Sequence, residues 1–445
     1  MRSVVRPILA MILVAGMSAW AAAEQPQVRE QPAPKSGPGG TPTGVGFNVH
    51  ITGPDSEWDE IKAAGVTLIR ADFTWGAVER SKGEYDFSTY DRMLDALDKR
   101  GIRVDFGLEY RNPIYTNPET TEEGRDAYAK WAAASAGHFK GRNVIWEIWN
   151  EPNVGFWHGN KGEKMNSAEF AAEYVALVKK AVPAMRAADP DCYILGGSVS
   201  CLWRDSFQWI DEAFKQGLLQ TGINALSVHP YGFSRPETCI DANQPGAVAG
   251  QGYGVLREMM AKYNAPKDLP VLNTEVGYPT GKKVTLDQQA MLFVRQYMVD
   301  QMCNIRMTIW YNWDERDAAN HRVRSRGPEP LPVYNACKNM TAEMAGYHFV
   351  ERLKVGSAVD YVLAFENVSK GRKIVAWTVP EKRDDSQDKA VAHDVGIQTG
   401  NAGGPVAVRD LYGKEVQAKA AAGTVTLNLT GSPQYIDTSG KAGAK

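Results

Sequence analysis

Past residue 23 the chain has no apolar run long enough to span a bilayer, so no transmembrane segment is expected. It has no basic excess either. Lys and Arg number 50 against 52 Asp and Glu, with no stripe of basic residues, and nucleic acid is not expected as a partner. Cysteines are few, at 192, 201, 239, 303 and 337, and none shows metal-ligand spacing. No metal site and no cofactor is read. Their odd number leaves at least one thiol unpaired or paired between chains, and burial as small apolar residues accounts for them as well as any single disulfide does. Also missing is a glycine-rich phosphate turn after the first strand, where Asn48-Val49-His50 stands instead. That absence argues against an open nucleotide-binding sheet.

What the chain does have begins with a secretory signal over residues 1–23. Arg2 and Arg6 give the positive start, Ile8 to Trp20 a short apolar run, and Ala19-Trp20-Ala21 or Ala21-Ala22-Ala23 a cleavage site. The expected location is periplasmic or secreted. Removing the signal leaves 48 basic against 52 acidic residues, about −4. Residues 24–43, rich in Pro, Gly, Gln and Lys, read as a flexible leader.

From Val45 a strand–helix rhythm sets in. Strands are expected at 45–49, 66–70, 102–108, 144–149, 193–195, 225–228, 271–273 and 306–310, with a helix after each. Gly101 closes one helix, Asn166 with Glu169 opens another, Thr285 with Gln288 caps a third, and Tyr334–Val350 is the eighth. Eight such units predict an α/β fold, a closed (β/α)8 TIM barrel over residues 44–350. After 351 the period shortens to alternating strands, near 361–366, 373–379, 406–410 and 425–429. They predict a C-terminal β-sandwich domain over 351–438, with a disordered tail at 439–445. Tyr361, Phe365, Trp377 and Tyr412 form either its own core or a carbohydrate face.

The active site of such a barrel lies at the C-terminal ends of its strands. Those ends carry Asn48 and His50, Arg70 and Asp72, Glu109, Asn150 and Glu151, Gly196-Gly197-Ser198, His229-Pro230-Tyr231, Thr274-Glu275, and Trp310 to Asp314. Asn150-Glu151-Pro152 ends an apolar fourth strand, and the proline cannot continue a ladder. A carboxyl group half-desolvated by the neighbouring indoles would have a raised pKa and donate a proton near neutral pH. Strands four and seven face each other across the mouth, so Glu151 and Glu275 form the best pair for cleaving a glycosidic bond. Glu147 lies four residues earlier, roughly 13 Å deeper at about 3.3 Å per residue, and is set aside. Glu109 and Asp72 are read as supporting groups. Trp75, Phe156, Trp157, Trp203 and Trp313 fall in mouth-side loops and are candidate sugar platforms, while Trp131 and Trp209 fall on helices.

These motifs in this order resemble the clan A glycoside hydrolases, retaining (β/α)8 enzymes, and among them family 39, particularly members associated with bacterial exopolysaccharide. The resemblance covers roughly residues 44–438. It implies Glu151 as acid/base, Glu275 as nucleophile, and Asn150 on the substrate 2-hydroxyl. It further implies Arg70 bonding the nucleophile, His229 and Tyr231 beside the pair, and Trp310 under the reacting sugar. The implied partner is a polysaccharide or oligosaccharide, with an exopolysaccharide export assembly as setting. Two alternatives stay open: a catalytically silent polysaccharide-binding protein, and a transglycosylase on the same barrel. The lengths of the loops 154–164 and 231–254 predict a walled groove suited to endo cleavage, with a pocketed exo-enzyme as the other option.

Overall fold

Eight short strands, apolar and buried on nearly every residue, cannot sit at a wet sheet edge; they close on one another instead. They are β1 (Gly44–Val49), β2 (Leu68–Thr74), β3 (Arg103–Glu109), β4 (Val144–Ile148), β5 (Tyr193–Ser200), β6 (Ala225–His229), β7 (Val271–Val276) and β8 (Met307–Trp310). All pair in parallel, in the closed order β1-β8-β7-β6-β5-β4-β3-β2. The computed structural model describes residues 41–50, 54–157, 165–232, 234–240, 251–314, 320–325, 327, 329–381, 390–400 and 406–438. The signal, the leader up to residue 40, the tail, and much of the loops 154–164 and 231–254 lie outside these. Among the described residues no helix is long and apolar enough to cross a membrane.

The helices α1 (Asp55–Ala63), α2 (Ser88–Asp98), α3 (Glu122–His138), α4 (Ala168–Ala188), α5 (Arg204–Lys215), α6 (Tyr253–Lys262), α7 (Leu286–Met302) and α8 (Pro332–Met344) follow the strands in turn. Their starts are set by side chains that accept the orphan N–H groups of a first turn. Thr121 caps α3, and Thr285 with Gln288 makes the full capping box of α7. The cap of α4 is Ser167, one residue past the expected Asn166, which instead takes φ +61°. Inside the barrel Leu68, Ile145, Tyr193, Leu195, Ala225, Leu272, Met307 and Ile309 fill the floor, and the alternate strand residues pack outward on the helices.

The second domain starts earlier than expected. Helix α8 stops at Met344, Gly346 turns the chain at φ +78°, and residues 348–350 are already strand. The strands β9 (His348–Arg352), β10 (Asp360–Asn367), β11 (Gly371–Thr378), β12 (His393–Gln398), β13 (Ala407–Arg409), β14 (Lys419–Ala421), β15 (Thr424–Leu429) and β16 (Gln434–Asp437) make two sheets. Their orders are β9-β10-β11-β16-β13 and β12-β15-β14. Val362, Ala364, Ile374 and Ala376 face Val395, Ile397, Val425 and Leu427 in the sandwich core. The alternate residues Tyr361, Leu363, Phe365, Val375 and Trp377 join the barrel's own core cluster. Period-two alternation thus buries both faces of the five-stranded sheet. Tyr361 and Trp377, stacked at 5.2 Å, belong to the contact with the barrel.

Candidate active site

The floor of the mouth is organised by Arg70. It lies within β2, which runs on to Thr74, four residues past the expected end, so Arg70 points into the barrel between Asn48 of β1 and Asp105 of β3. Its guanidinium is buried and forks to three other strands or strand ends. Nε donates to Glu147 at 2.7 Å, Nη1 to Glu275 at 3.0 Å, and Nη2 to Asn150 Oδ1 at 2.9 Å and to Glu109 at 3.4 Å. Burial opposes this charge, but the surrounding carboxylates overcome it and hold Arg70 protonated. Burial, with the charge of Asp72, pushes Glu109 far above the carboxylate range. Burial and Glu147 do the same to Asp105. Glu147 is also buried, yet Arg70 and His229 bring it below its ordinary value.

This corrects the reading of Glu147. It is not out of reach of the mouth. Strand β4 ends at Ile148 and the chain turns sharply at Trp149 (φ +67°), so Glu147 sits directly beneath the site. There it also accepts from Thr274 Oγ1 at 2.8 Å, in the residue before Glu275. Nothing in the strand pattern foretold that turn.

Glu151 and Glu275 come together above this floor. One oxygen of each and one ring nitrogen of His229 lie within 4.8 Å of one another. Nδ1 is 3.1 Å from Glu151 Oε1 and 3.9 Å from Glu275 Oε2, while Nε2 is 3.2 Å from Ser198 Oγ. Those three side chains have the donor types of a small-cation site, and they equally form a carboxylate pair bridged by an imidazole. Glu275 accepts from Tyr231 OH at 3.0 Å as well as from Arg70. Burial raises its pKa, with repulsion from Glu151 adding, against the opposing pull of His229 and Arg70. Asn150, whose Oδ1 is taken by Arg70, donates through Nδ2 to Tyr110 OH at 3.1 Å.

The backbone around Glu151 is strained. Trp149 (φ +67°), Glu151 (φ +45°), Ser198 (φ +47°) and Cys201 (φ +65°) are all non-glycine residues in the left-handed region. Such residues cost on the order of 1–3 kcal/mol each and persist where surrounding contacts fix them. Here Glu151 N–H donates to Ser198 O at 3.0 Å. Asn153, fully buried, bonds the Ser200 backbone through both ends of its amide.

The tryptophans are a correction. The indoles expected around Glu151 point away from it: Trp149 packs against Tyr110, Tyr128 and Trp157. Trp310 does not floor the site. Its neighbour Ile309 faces the barrel interior, so Trp310 faces the helices, meets Phe293 of α7 at 5.0 Å, and donates to His321 O. Trp313 packs on Phe47 and Tyr334 with its N–H toward Glu57 of α1. Trp75 stacks on Trp131 and bonds Glu79; Trp157 bonds Glu173 of α4. None of these five tryptophans is more than 2% exposed.

Besides Tyr231, the aromatic side chains at this end of the barrel among the described residues include Tyr110, Phe156, Trp203 and Tyr311. Sequence reasoning missed Tyr110, and counted Tyr311 among the residues ending strand eight without giving it a role. Tyr311 OH lies 3.4 Å from His50, which faces Asp72 at 3.7 Å. Strand alternation from Met307 and Ile309 would have placed Tyr311 inward. All five cysteines are free thiols.

A closed (β/α)8 barrel with paired glutamates at the ends of strands four and seven, an asparagine before the first and an arginine under the second defines a glycoside hydrolase of clan A. The family model described as Cellulase (glycosyl hydrolase family 5) matches residues 39–316, and the chain belongs to that family. In shape it is similar to a family 39 glycoside hydrolase from the gut symbiont Bacteroides cellulosilyticus WH2. That likeness has a TM-score of 0.71 and 24% identity over 88% of this chain and 80% of that one. A monomeric beta-xylosidase from Caulobacter crescentus CB15 is similar with a TM-score of 0.61 and 14% identity, over 88% of this chain and 95% of that one. The curated beta-galactosidase BbgII of Bifidobacterium bifidum is 38% identical over 130 residues. That match spans 22% of this chain and 19% of the relative's length.

Proposed function

We propose that this protein is a retaining glycosidase that cuts within a polysaccharide outside the cytoplasm, with a bacterial exopolysaccharide as its substrate. The observation that carries the reading is the meeting of Glu151, His229 and Glu275 within 4.8 Å. Retaining enzymes hold their carboxyl groups about 5–5.5 Å apart, whereas inverting ones leave about 6.5–9.5 Å for a water. Glu275, fixed by Arg70 and Tyr231, attacks the anomeric carbon. Glu151 gives its proton to the leaving oxygen as that bond breaks. It then takes a proton from the water that releases the sugar from Glu275. The names of two similar proteins, a beta-galactosidase and a beta-xylosidase, favour a β-linked substrate. The signal read at residues 1–23 supports the location.

A silent binding protein would not need both carboxylates together with the donors that orient them. The two roles are separable by leaving group. Glu275→Ala should lose turnover on every substrate, on the order of 10⁴-fold or more. Glu151→Ala should keep much of its rate on dinitrophenyl glycosides, which need no proton, and regain more with azide. Equal losses in both variants, whatever the leaving group, would sink the assignment.

A further inference from the structure

Glu147 is fully buried, and each of its oxygens is tied to a different support of Glu275. Oε2 accepts from Arg70 Nε at 2.7 Å, and the same guanidinium donates through Nη1 to Glu275 at 3.0 Å. Oε1 accepts from Thr274 Oγ1 at 2.8 Å, and Thr274 is the neighbour of Glu275 on β7. One carboxylate on β4 therefore grips, from below, both the arginine and the strand end that carry the nucleophile. The carboxyl groups around Arg70 on the floor are not alike. Burial, with Asp72, drives Glu109 above the carboxylate range, and burial, with Glu147, does the same to Asp105. Glu147, despite its burial, is brought below its ordinary value by Arg70 and His229. Arg70 thus has two anionic partners, Glu275 at the mouth and Glu147 beneath it.

In a retaining reaction the charge on Glu275 is not constant. As its oxygen bonds to the anomeric carbon, the bond to the leaving oxygen breaks and its electron pair departs with that oxygen, so Glu275 becomes a neutral ester. When the oxygen of water bonds to that carbon, its proton passes to Glu151 and the electron pair of the ester bond returns to Glu275. An arginine whose only anion came and went would stand buried and unpaired in the intermediate, at a large cost. We propose that Glu147 is a positioning residue for this reaction, the permanent counter-ion that holds Arg70 in place while the charge of Glu275 is quenched and restored. This deepens the glycosidase reading and rests on it. Glu147 also divides the pull of Arg70. With no second anion, Arg70 would act on Glu275 alone and lower its pKa, making it a weaker nucleophile and a better leaving group. The other ionisable groups facing Glu275 are Glu109, Tyr110, Glu151, His229 and Tyr231, and those facing Glu147 are Asp105, Glu109, Tyr174 and His229. Burial is the larger part of what keeps Asp105 and Glu109 neutral, so neither takes over when the charge at 147 is lost.

The test uses the full chain with a panel of 2,4-dinitrophenyl β-glycosides (glucoside, galactoside, xyloside), whose leaving group needs no proton. Their kcat/KM, followed across pH, reports formation of the intermediate by the free enzyme. Glu147→Gln keeps the size of the side chain, still accepts from Arg70 and can donate to Thr274 Oγ1, so it removes the charge alone. It should lower kcat/KM about tenfold at the optimum and move the acid limb down by about one pH unit. Breakdown should not slow: enzyme trapped by the 2-deoxy-2-fluoro analogue of the fastest donor should reactivate at least as quickly as the wild type. Thr274→Val keeps the charge and cuts the second tie, so kcat/KM should fall with the acid limb in place. An acid limb in Glu147→Gln that stays or moves up, whatever the melting temperature does, would reduce Glu147 to a structural support and overturn the inference. Reactivation slowed as much as trapping would overturn it too. Should Glu147→Gln not fold, an unchanged kcat/KM in Thr274→Val overturns it. No turnover of any donor by the wild type would overturn the glycosidase reading and this inference with it.

Discussion

Tyr231 and Arg70 each place a hydrogen-bond donor on Glu275, and that pair of contacts distinguishes the nucleophile from Glu151, whose partner is the His229 imidazole. A nucleophilic carboxylate must be ionised. Burial raises the pKa of Glu275, and the Tyr231 hydrogen bond partly counteracts that. Tyr231→Phe should therefore raise it further, so that activity is lost at a higher pH as the solution is acidified. The rate at optimal pH should fall about tenfold, the worth of a hydrogen bond to a charged group. A pH–rate profile checks both. An acid limb that stays in place would show that Tyr231 does not bear on the nucleophile. Single residues were legible where chemistry and strand position agreed: Glu151, Glu275, Arg70, Asn150, His229 and Tyr231 all sit at the mouth or directly under it. The tryptophans were not. Trp75 opens a helical turn of four residues directly after β2, and Trp157 and Trp313 follow strands in loops, so no period orients any of the three, and an indole serves a core as well as it serves a sugar. Trp310 was decidable, because Ile309 beside it belongs to the barrel floor.

The eight barrel strands and the helices after them were legible because a buried parallel barrel repeats its pattern eight times, and there the errors were confined to ends; the short hairpin within 79–85 and the β-domain strands at 348–352, 393–398, 419–421 and 434–437 were not read. The end of β2 and the turn after β4 depend on side chains from distant strands, which local patterning does not record. What locks β7, β8, α6 and α7 together is likewise non-local. Asp300 on α7 accepts from Asn273, Thr308, Tyr253 and Gln296, all buried. Burial pushes its pKa up to about 6, against those four bonds. A carboxyl group whose folded pKa lies above its unfolded value of about 3.8 keeps its proton in the folded state while the unfolded chain loses it. Its contribution to stability is therefore unaltered below that value, declines as pH rises from about 4 to 6, and is level above. The loss is on the order of 3 kcal/mol at about 1.36 kcal/mol per unit. Urea unfolding across this range should show the decline, and Asp300→Asn should flatten it. The variant should also be less stable throughout, since an amide cannot accept from all four donors. A slope unchanged in Asp300→Asn would assign it to other groups.

For the molecule as a whole, the β-domain and barrel share one core. Trp377 of β11 donates its indole N–H to Glu237 Oε1 at 2.8 Å, and Glu237 is paired through both oxygens with Arg295 of α7 at 2.7 Å. All three are fully buried. Glu237 lies in the loop after β6, six residues past Tyr231, so the sheet props a segment that leads from the active site. Cutting the chain near residue 350 would expose this ion pair and the barrel face now covered by Tyr361, Phe365 and Trp377. The 44–350 fragment should aggregate rather than change specificity; a soluble fragment with full activity would refute that dependence. The account turns on two carboxylates close enough for a covalent intermediate, and the configuration of the first-formed product reports on that directly. Proton NMR during the first minutes of cleavage of a β-linked substrate, before the sugar equilibrates in water, should show the β-anomer appearing first. The α-anomer appearing first would mean inversion and would contradict the assignment of Glu275 as nucleophile.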